Sequence, residues 1–198
     1  MIDKDILRNL KIFGYHKASM IDYPNQITSI LFTKYCNMSC SYCHQYKTML
    51  ETEPLNKEQL EYVINDSINN LSTAITITGG EPTLYGRELI SLLKHYRSNT
   101  SKKLKLDTNG TMPEVLKEII DNKLVDFIAM DIKADFNCYN KLGYNRRPDN
   151  LYKSYNLICN SNIDYQFRCT VNDNFNNIDY KFISDYVPDI KLQKYSQM

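Results

Sequence analysis

Residues 27–43 read Ile27-Thr-Ser-Ile-Leu-Phe-Thr33-Lys-Tyr-Cys36-Asn-Met-Ser-Cys40-Ser-Tyr-Cys43. The β-branched and aromatic residues of Ile27–Thr33 predict a buried strand, which runs directly into a loop with three cysteines in eight residues. Because thiolates are the usual ligands of iron–sulfur clusters, such a loop can wrap around one inorganic cluster. Three ligands would leave one iron of a [4Fe–4S] cube open to a substrate, as catalytic metal sites keep one position free.

Short β-branched runs alternate with helical patterns through the rest of the chain. This alternation predicts an α/β fold with a parallel sheet and crossover helices. Periodicity leaves an open doubly wound sheet and a partial barrel as alternatives, and both place the active site at the C-terminal ends of the strands. The further predicted strands are Ala74–Thr78, Leu104–Thr108, Asp126–Ile132, Tyr165–Val171 and, with a weaker pattern, Asp189–Tyr195.

Helices are predicted between these strands. Asn56 and Gln59 have the spacing of a capping box, which predicts the start of a helix. Pro113 predicts the first turn of another helix, because proline is tolerated at that position. The apolar faces of the three best-patterned helices are Leu60, Val63, Ile64, Ile68 and Leu71; then Leu89, Leu92, Leu93 and Tyr96; then Val115, Leu116, Ile119 and Ile120. Weaker helical patterns cover Leu151–Cys159 and Tyr180–Tyr186.

The bulk composition excludes several classes of protein. The 198 residues include 24 basic and 23 acidic side chains, and this balance argues against a protein that binds nucleic acid through phosphate contacts. Apolar runs are only strand-sized, and the first residues do not begin a signal peptide, so we expect a cytoplasmic protein without a membrane partner. In a reducing compartment, clustered cysteines indicate metal binding or catalysis more than disulfides.

The cysteine loop also has other interpretations. A structural zinc site would need a fourth ligand, and His44 is poorly placed for that because it directly follows Cys43, although His16 could approach from elsewhere. Three unrelated free thiols are a further alternative. The remaining cysteines are scattered along the sequence and are interpreted as structural; they are Cys138, Cys159 and Cys169.

A second motif, Thr78-Gly79-Gly80-Glu81-Pro82, directly follows the second predicted strand. Glycines let the main chain approach a ligand closely, and the Glu81 carboxylate can receive an ammonium group. With the spacing of the three cysteines, this motif resembles the radical S-adenosylmethionine (SAM) superfamily. The resemblance implies a single-domain, partial (β/α)6 TIM-like barrel, a [4Fe–4S] cluster on the three cysteines, and SAM whose methionine end binds Gly79–Glu81.

Three other segments narrow the resemblance. Phe13 to Pro24, Asp107-Thr-Asn-Gly110 and Met130-Asp131-Ile-Lys133 are similar to segments of activating proteins for anaerobic ribonucleoside-triphosphate reductase, which are related to pyruvate formate-lyase activating enzymes. The resemblance implies that Asp107 and Asp131 lie near the SAM carboxylate, with a small cation between them. It further implies that the residues that contact SAM include Lys133 and Arg168 at the carboxylate and Tyr42 and His44 near the adenine.

This resemblance implies a radical reaction. An electron from a flavodoxin or ferredoxin would reach SAM through the cluster, and the resulting 5′-deoxyadenosyl radical would take a hydrogen atom from a glycine of the partner reductase. The alternatives are an activating enzyme for another glycyl-radical enzyme, or a radical SAM enzyme that acts on a small molecule or peptide, as a 7-carboxy-7-deazaguanine synthase does. A zinc-stabilised binding module without catalysis is the alternative from another class.

The chain departs from the family pattern at two glycine positions. Asn25 follows the proline of the lead-in where a glycine is usual, and Tyr35 precedes the first cysteine where a glycine is usual. Asparagine tolerates left-handed backbone, whereas tyrosine does so poorly, and Tyr35 is therefore expected to alter the path into the cysteine loop. We expect residues 1–26 to form an N-terminal lead-in segment and residues 27–198 to form the radical SAM core domain.

Overall fold

The computed structural model describes residues 2–146, 148–171, 187 and 190–194. Its strands form one sheet in sequence order. They are β1 (Ile12–Ser19), β2 (Thr28–Thr33), β3 (Ala74–Gly79), β4 (Lys103–Thr108), β5 (Phe127–Asp131), β6 (Asp164–Val171) and β7 (Lys191–Lys194). The α-helices are α1 (Lys4–Asn9), α2 (Tyr46–Glu51), α3 (Lys57–Asn69), α4 (Arg87–Asn99), α5 (Pro113–Asp121) and α6 (Asp149–Cys159).

Strands β2 to β7 are parallel to one another, and β1 is antiparallel to β2. Six parallel strands joined by crossovers confirm the α/β prediction and the partial barrel. The strand predicted at Asp189–Tyr195 appears as β7, and its first and last residues lie outside the described part. The helix predicted at Tyr180–Tyr186 lies outside the described residues altogether.

Helix α3 begins as its sequence predicts. The Asn56 side chain accepts from the Gln59 main chain at 2.9 Å, and the Gln59 side chain accepts from the Asn56 main chain at 2.9 Å. The predicted apolar face is too long by one turn, because α3 ends at Asn69 and leaves Leu71 98% exposed. Leu60, Val63 and Ile64 are buried as expected.

The lead-in segment contributes helix α1 and strand β1, which the sequence patterns did not predict. Strand β1 pairs with β2 from Ile12 opposite Thr33 to Ser19 opposite Thr28, with two register shifts. Those irregularities break the period-2 alternation by which a strand is recognised. In the loop between β1 and β2, the Tyr23 ring packs against Phe127 with ring centroids 5.5 Å apart. The β1–β2 loop therefore covers the N-terminal end of β5.

Within the described residues, no helix is both long and apolar enough to cross a membrane.

Candidate active site

The C-terminal ends of the parallel strands surround a cavity of about 230 Å³. Eleven of the twelve predicted site residues line it. They are Cys36, Cys40, Tyr42, Cys43, His44, Gly79, Gly80, Glu81, Asp107, Asp131 and Lys133. The twelfth, Arg168, reaches the cavity through hydrogen bonds to the two aspartates.

The cysteine loop lies between β2 and α2. Cys36 and Cys40 are half-buried, whereas Cys43 is exposed. The loop is held in place because the main-chain N–H of Ser39 donates to the carbonyl of Leu142 at 2.8 Å. Burial raises the pKa of the Cys36 thiol to about 11 and also raises that of Cys40. Both thiols therefore need nearby positive charge, such as iron, to become thiolate ligands.

The three thiols are not arranged around a single ion. Among the described residues, no group of three or more histidine, cysteine or acidic side chains has the geometry to hold one metal ion. His16, the candidate fourth zinc ligand, lies on β1 opposite Ile30 and does not line the cavity. The donor set of three thiols in one loop fits a multi-iron cluster better than a tetrahedral zinc site.

Two glycines at the end of β3, Gly79 as its last residue and Gly80 directly after it, allow close contact between main-chain segments. A Cβ on Gly79, whose φ is +114°, would lie 2.4 Å from the nitrogen of Thr33. A Cβ on Gly80 would lie 2.0 Å from the carbonyl oxygen of Tyr35. The N–H of Gly80 donates to Thr33 and that of Glu81 donates to Tyr35, both at 2.8 Å. The glycines therefore join this loop to the end of β2 and the start of the cysteine loop.

Both departures from the family glycines have left-handed backbone. Asn25 has φ of +58° and Tyr35 has φ of +70°. Tyr35 thus keeps the conformation that a glycine would adopt freely, at a cost of about 1–2 kcal/mol for an ordinary side chain. The carbonyl of Tyr35 accepts from the main chain of Glu81, and the expected effect of Tyr35 on the path of the loop stays a prediction.

Glu81 was expected to receive an ammonium group through its carboxylate, but in the structure it is 0% exposed. One oxygen accepts from the main chain and hydroxyl of Thr83 and from the hydroxyl of Thr108, and the other accepts from the N–H of Asn109 at 2.6 Å. Burial raises the pKa of Glu81, and these hydrogen bonds oppose that effect. The carboxylate therefore ties the loop after β3 to the end of β4.

A row of alternating charges lies at the cavity, and three of its members line it: Asp107, Asp131 and Lys133. Arg168 on β6 donates to Asp131 at 2.8 Å and to Asp107 at 3.4 Å. Lys133 donates to Asp131 at 3.3 Å, and Lys105 forms a short ion pair with Asp107. Three cations face two carboxylates, so the row carries a net charge of +1.

The small cation expected between the aspartates stays a prediction, and Arg168 lies between the two carboxylates. The guanidinium of Arg168 contacts both carboxylates and supplies the counter-charge that they need. Burial opposes ionisation of Asp131, but Arg168 and Lys133 outweigh it and lower its pKa to about 2. Arg168 and Lys133 therefore hold Asp131 in its ionised form at neutral pH, and Arg168 also contacts Asp107.

Sequence reasoning missed several residues of this site. Lys105 is 3% exposed and stands on β4 two residues before Asp107, so the period of a strand places both on one face. Asn109 lies inside the quoted Asp-Thr-Asn-Gly segment but had no role there. The cavity lining also includes Met38, Gln45, Tyr46, Met49, Thr78, Thr108, Asn109 and Thr170. Nothing in the local pattern of the two methionines distinguishes them from core residues.

The remaining predicted residues lie on the cysteine side of the cavity. Tyr42 is buried at 5% exposure, and His44 is exposed. Both side chains line the cavity beside Cys43. The scattered cysteines do not line it: Cys169 is buried in the core, and Cys138 and Cys159 pack against the core.

Comparison with known proteins agrees with this arrangement. A model of the radical SAM superfamily matches residues 30–181. A Methanocaldococcus jannaschii protein, provisionally named a glycyl-radical enzyme activating enzyme, is 41% identical over 128 residues, which cover 65% of this chain and 52% of that protein. A 7-carboxy-7-deazaguanine synthase of Methanothermobacter thermautotrophicus is 34% identical over 104 residues, which cover 50% of this chain and 38% of the relative.

The chain thus spans about half or less of the length of these two relatives. The structure of native anSMEcpe with bound AdoMet matches with a TM-score of 0.60 and 21% identity over 83% of this chain and 50% of that one, which supports the fold alone. The family model covers most of the chain, from β2 through the cysteine loop to β6 and beyond. The chain therefore belongs to the radical SAM superfamily, whose members use a [4Fe–4S] cluster and S-adenosylmethionine.

Proposed function

We propose that this chain is a radical SAM activating enzyme that generates a glycyl radical on a partner enzyme. The observation that carries the proposal is the meeting of three separate features at one cavity. These are the cysteine loop, the glycine loop after β3 and the row of charges on β4, β5 and β6. Together they offer thiolates for a cluster, a closely approachable main chain and a net positive charge.

Each feature matches one part of the two cofactors. Cys36, Cys40 and Cys43 would hold the cluster and leave one iron open for SAM. The surplus positive charge of the row favours the SAM carboxylate, with Lys133 and Arg168 as its direct partners. Gly79 and Gly80 would face the amino end, on a loop that Glu81 holds from behind.

The adenine would lie by Tyr42 and His44. Tyr42 is buried beside the cysteine loop and can pack against a purine ring, whereas the exposed His44 can move to cover it. Asp107 and Asp131 act on SAM only through the cations that they orient. Their role is to keep Arg168 and Lys133 extended toward the cavity.

When bound, the cluster supplies one electron that cleaves SAM to methionine and a 5′-deoxyadenosyl radical. The work of the chain is to orient SAM and to keep water and unwanted hydrogen donors away. A glycine suits the next step because its α-carbon carries no side chain that would block the approach. The relative provisionally named a glycyl-radical enzyme activating enzyme supports this choice of substrate class.

We further propose that the partner is an anaerobic ribonucleoside-triphosphate reductase and that a flavodoxin or ferredoxin supplies the electron. The segments that resemble reductase-activating proteins support this partner, since they include both aspartates of the charge row. The division into a lead-in at residues 1–26 and a core domain at residues 27–198 belongs to the same proposal.

Isotope transfer tests the substrate directly. The loaded protein, SAM and a reductant are combined with a partner reductase whose glycines carry deuterium at the α-carbon. We expect deuterium in the 5′-deoxyadenosine and a glycyl-radical EPR signal, which is a doublet with unlabelled partner and collapses to a singlet when the α-carbon carries deuterium. A partner reductase with alanine at the radical glycine should give neither signal and serves as the control. Product without deuterium, together with no radical on the partner, would contradict the activating function.

A small-molecule reaction is the second candidate. The 34% identity to a 7-carboxy-7-deazaguanine synthase favours it, because the aligned segment covers half of this chain. Under this alternative, 5′-deoxyadenosine would form without a protein partner once the small substrate is present. The deuterium experiment separates the two candidates, because only the activating enzyme takes its hydrogen atom from a protein glycine.

A further inference from the structure

Asn109 approaches a proposed cluster ligand. Its side-chain Nδ2 lies 3.8 Å from Sγ of Cys36, within hydrogen-bond distance for a sulfur acceptor. The same amide group donates to Oδ1 of Asn37 at 3.0 Å. Asn109 is 4% exposed, so solvent has little access to either contact.

The orientation of this amide is fixed by a main-chain N–H, which can only donate. The main-chain N–H of Thr111 lies 3.0 Å from the Asn109 side chain and must face its oxygen, Oδ1. The Thr111 hydroxyl donates to the same oxygen at 2.7 Å. The main-chain N–H of Asn109 is itself tied to Glu81 at 2.6 Å. The amide nitrogen is therefore held on the side that faces Cys36.

The sulfur of Cys36 has a second hydrogen-bond donor besides Asn109. A main-chain hydrogen bond from Met38 also acts on its sulfur and favours the thiolate, against the larger opposing effect of burial. Cys43, by contrast, is exposed to solvent. The three proposed ligands thus differ in environment, and Cys36 has a side-chain donor from the loop that follows β4.

We infer that Asn109 donates an N–H···S hydrogen bond to the Cys36 thiolate and thereby raises the reduction potential of the cluster. The inference rests on the proposed function only in the assignment of Cys36 as a ligand. Reduction adds one electron to the cluster and increases the negative charge on its sulfurs. A hydrogen-bond donor stabilises that charge, so the donor favours the reduced state. Asn109 is a positioning residue in this account, since it acts through Cys36.

The test is an EPR-monitored redox titration of the reconstituted protein without SAM or partner. Asn109→Ala removes the donor, and Asn109→Asp removes the donor while keeping the oxygen that faces Thr111. For both variants we expect a lower midpoint potential at unchanged iron content. The ratio of reduced to oxidised cluster at a fixed applied potential should fall by up to about ten-fold, which corresponds to about 1.4 kcal/mol.

Thr111→Val is the matched control. It removes the hydroxyl that bonds to Asn109 and Asn37, while the Thr111 N–H still holds the Asn109 amide in place. We expect its midpoint potential to equal that of the wild type. A potential that shifts equally in Thr111→Val and Asn109→Ala would show a general packing effect and overturn the inference. An unchanged potential in a fully loaded Asn109→Ala protein would overturn it as well.

A second measurement can refute the bond in the wild-type protein alone, and its variants serve only to assign the signal. Wild-type protein is prepared with asparagine labelled by ¹⁵N in its side chain, and the reduced cluster is examined by pulsed EPR. The bond to Cys36 predicts a ¹⁵N coupling that Asn109→Asp removes and that Asn37→Asp retains. Absence of any such coupling in the wild type would refute the bond. Failure of the wild type to load a cluster would instead count against the cysteine assignment in the proposed function.

Discussion

The main-chain N–H of Glu81 donates to the carbonyl oxygen of Tyr35 over 2.8 Å. This hydrogen bond joins the glycine loop after β3 to the residue that precedes the first cysteine. The bond requires Tyr35 to keep left-handed backbone, with φ of +70°. It also requires that the residue before Glu81 carry no side chain, because a Cβ there would meet the Tyr35 oxygen at 2.0 Å.

Substitutions at Tyr35 test the backbone requirement. The side chain of Tyr35 is 55% exposed, so its removal costs little packing. Glycine adopts this φ freely, and we expect Tyr35→Gly to change the free energy of unfolding by less than about 1 kcal/mol. A β-branched residue is poorly tolerated there, and Tyr35→Val should be about 1–2 kcal/mol less stable than Tyr35→Gly. Equal stabilities in denaturant titrations would show that this residue carries no conformational strain.

Alanine substitutions test the close contact at Gly80. Gly80→Ala should destabilise the protein by at least about 2 kcal/mol, because the new methyl group overlaps main-chain atoms that have no room to move. Gly14→Ala is the control, because a Cβ there would meet only the Phe32 side chain, at 3.4 Å. That variant should change the free energy of unfolding by less than about 1 kcal/mol. Unfolding experiments that rank Gly14→Ala as the worse variant would contradict the close contact at Gly80.

Removal of the Arg168 guanidinium tests whether SAM binding needs a small cation between Asp107 and Asp131. We expect wild-type protein to bind SAM equally well in potassium chloride and in choline chloride. In Arg168→Gln, Asp107 and Asp131 lose their shared counter-charge. Because the two carboxylates then repel the carboxylate of SAM, we expect SAM to bind at least about ten-fold more weakly. Potassium should then restore part of the affinity. Potassium-dependent binding by the wild type, measured by calorimetry, would support the small-cation interpretation.

The lowered pKa of Asp131 predicts that acid reduces the stability of the folded protein. Its pKa is lowered from 3.8 to about 2 in the folded protein, so the unfolded chain binds more protons between these values. Stability should therefore be fully present above pH 3.8 and fall as the pH approaches 2. Because the Asp131 side chain is 35% exposed, we expect a loss of about 1 kcal/mol over this interval. Asp131→Asn should remove that part of the slope in urea titrations at a series of pH values.

The sequence predicts the parallel part of the fold because each strand is a short β-branched run between clear helical patterns. Residue Leu71 fits the helical period but lies beyond the end of α3, since periodicity alone does not locate a terminus. Strand β1 escaped prediction because its register shifts disrupt the alternation of buried and exposed residues. Within the described residues, the five predicted parallel strands before β7 all appear, with ends shifted by one or a few residues.

The sequence predicts only those parts of the site that belong to short local motifs. The cysteine spacing and the Gly-Gly-Glu segment are local patterns, and both line the observed cavity. The carboxylate of Glu81 is different, because its partners Thr108 and Asn109 lie at and just after the end of another strand, β4. Likewise, the alternation of charged and apolar residues around Lys105 is typical of a strand whose lysines are exposed. The burial of Lys105 depends on the barrel interior, which no local pattern reveals.

The most direct test of the central claim is anaerobic reconstitution with iron and sulfide, reduction with dithionite, and measurement of 5′-deoxyadenosine formed from SAM. We predict a [4Fe–4S] cluster and product in the wild type, and loss of both in Cys36→Ala, Cys40→Ala and Cys43→Ala. The control variants Cys138→Ala, Cys159→Ala and Cys169→Ala should keep the full iron content. An intact cluster in any of the first three variants, or a loaded wild type that neither binds nor cleaves SAM, would contradict the account.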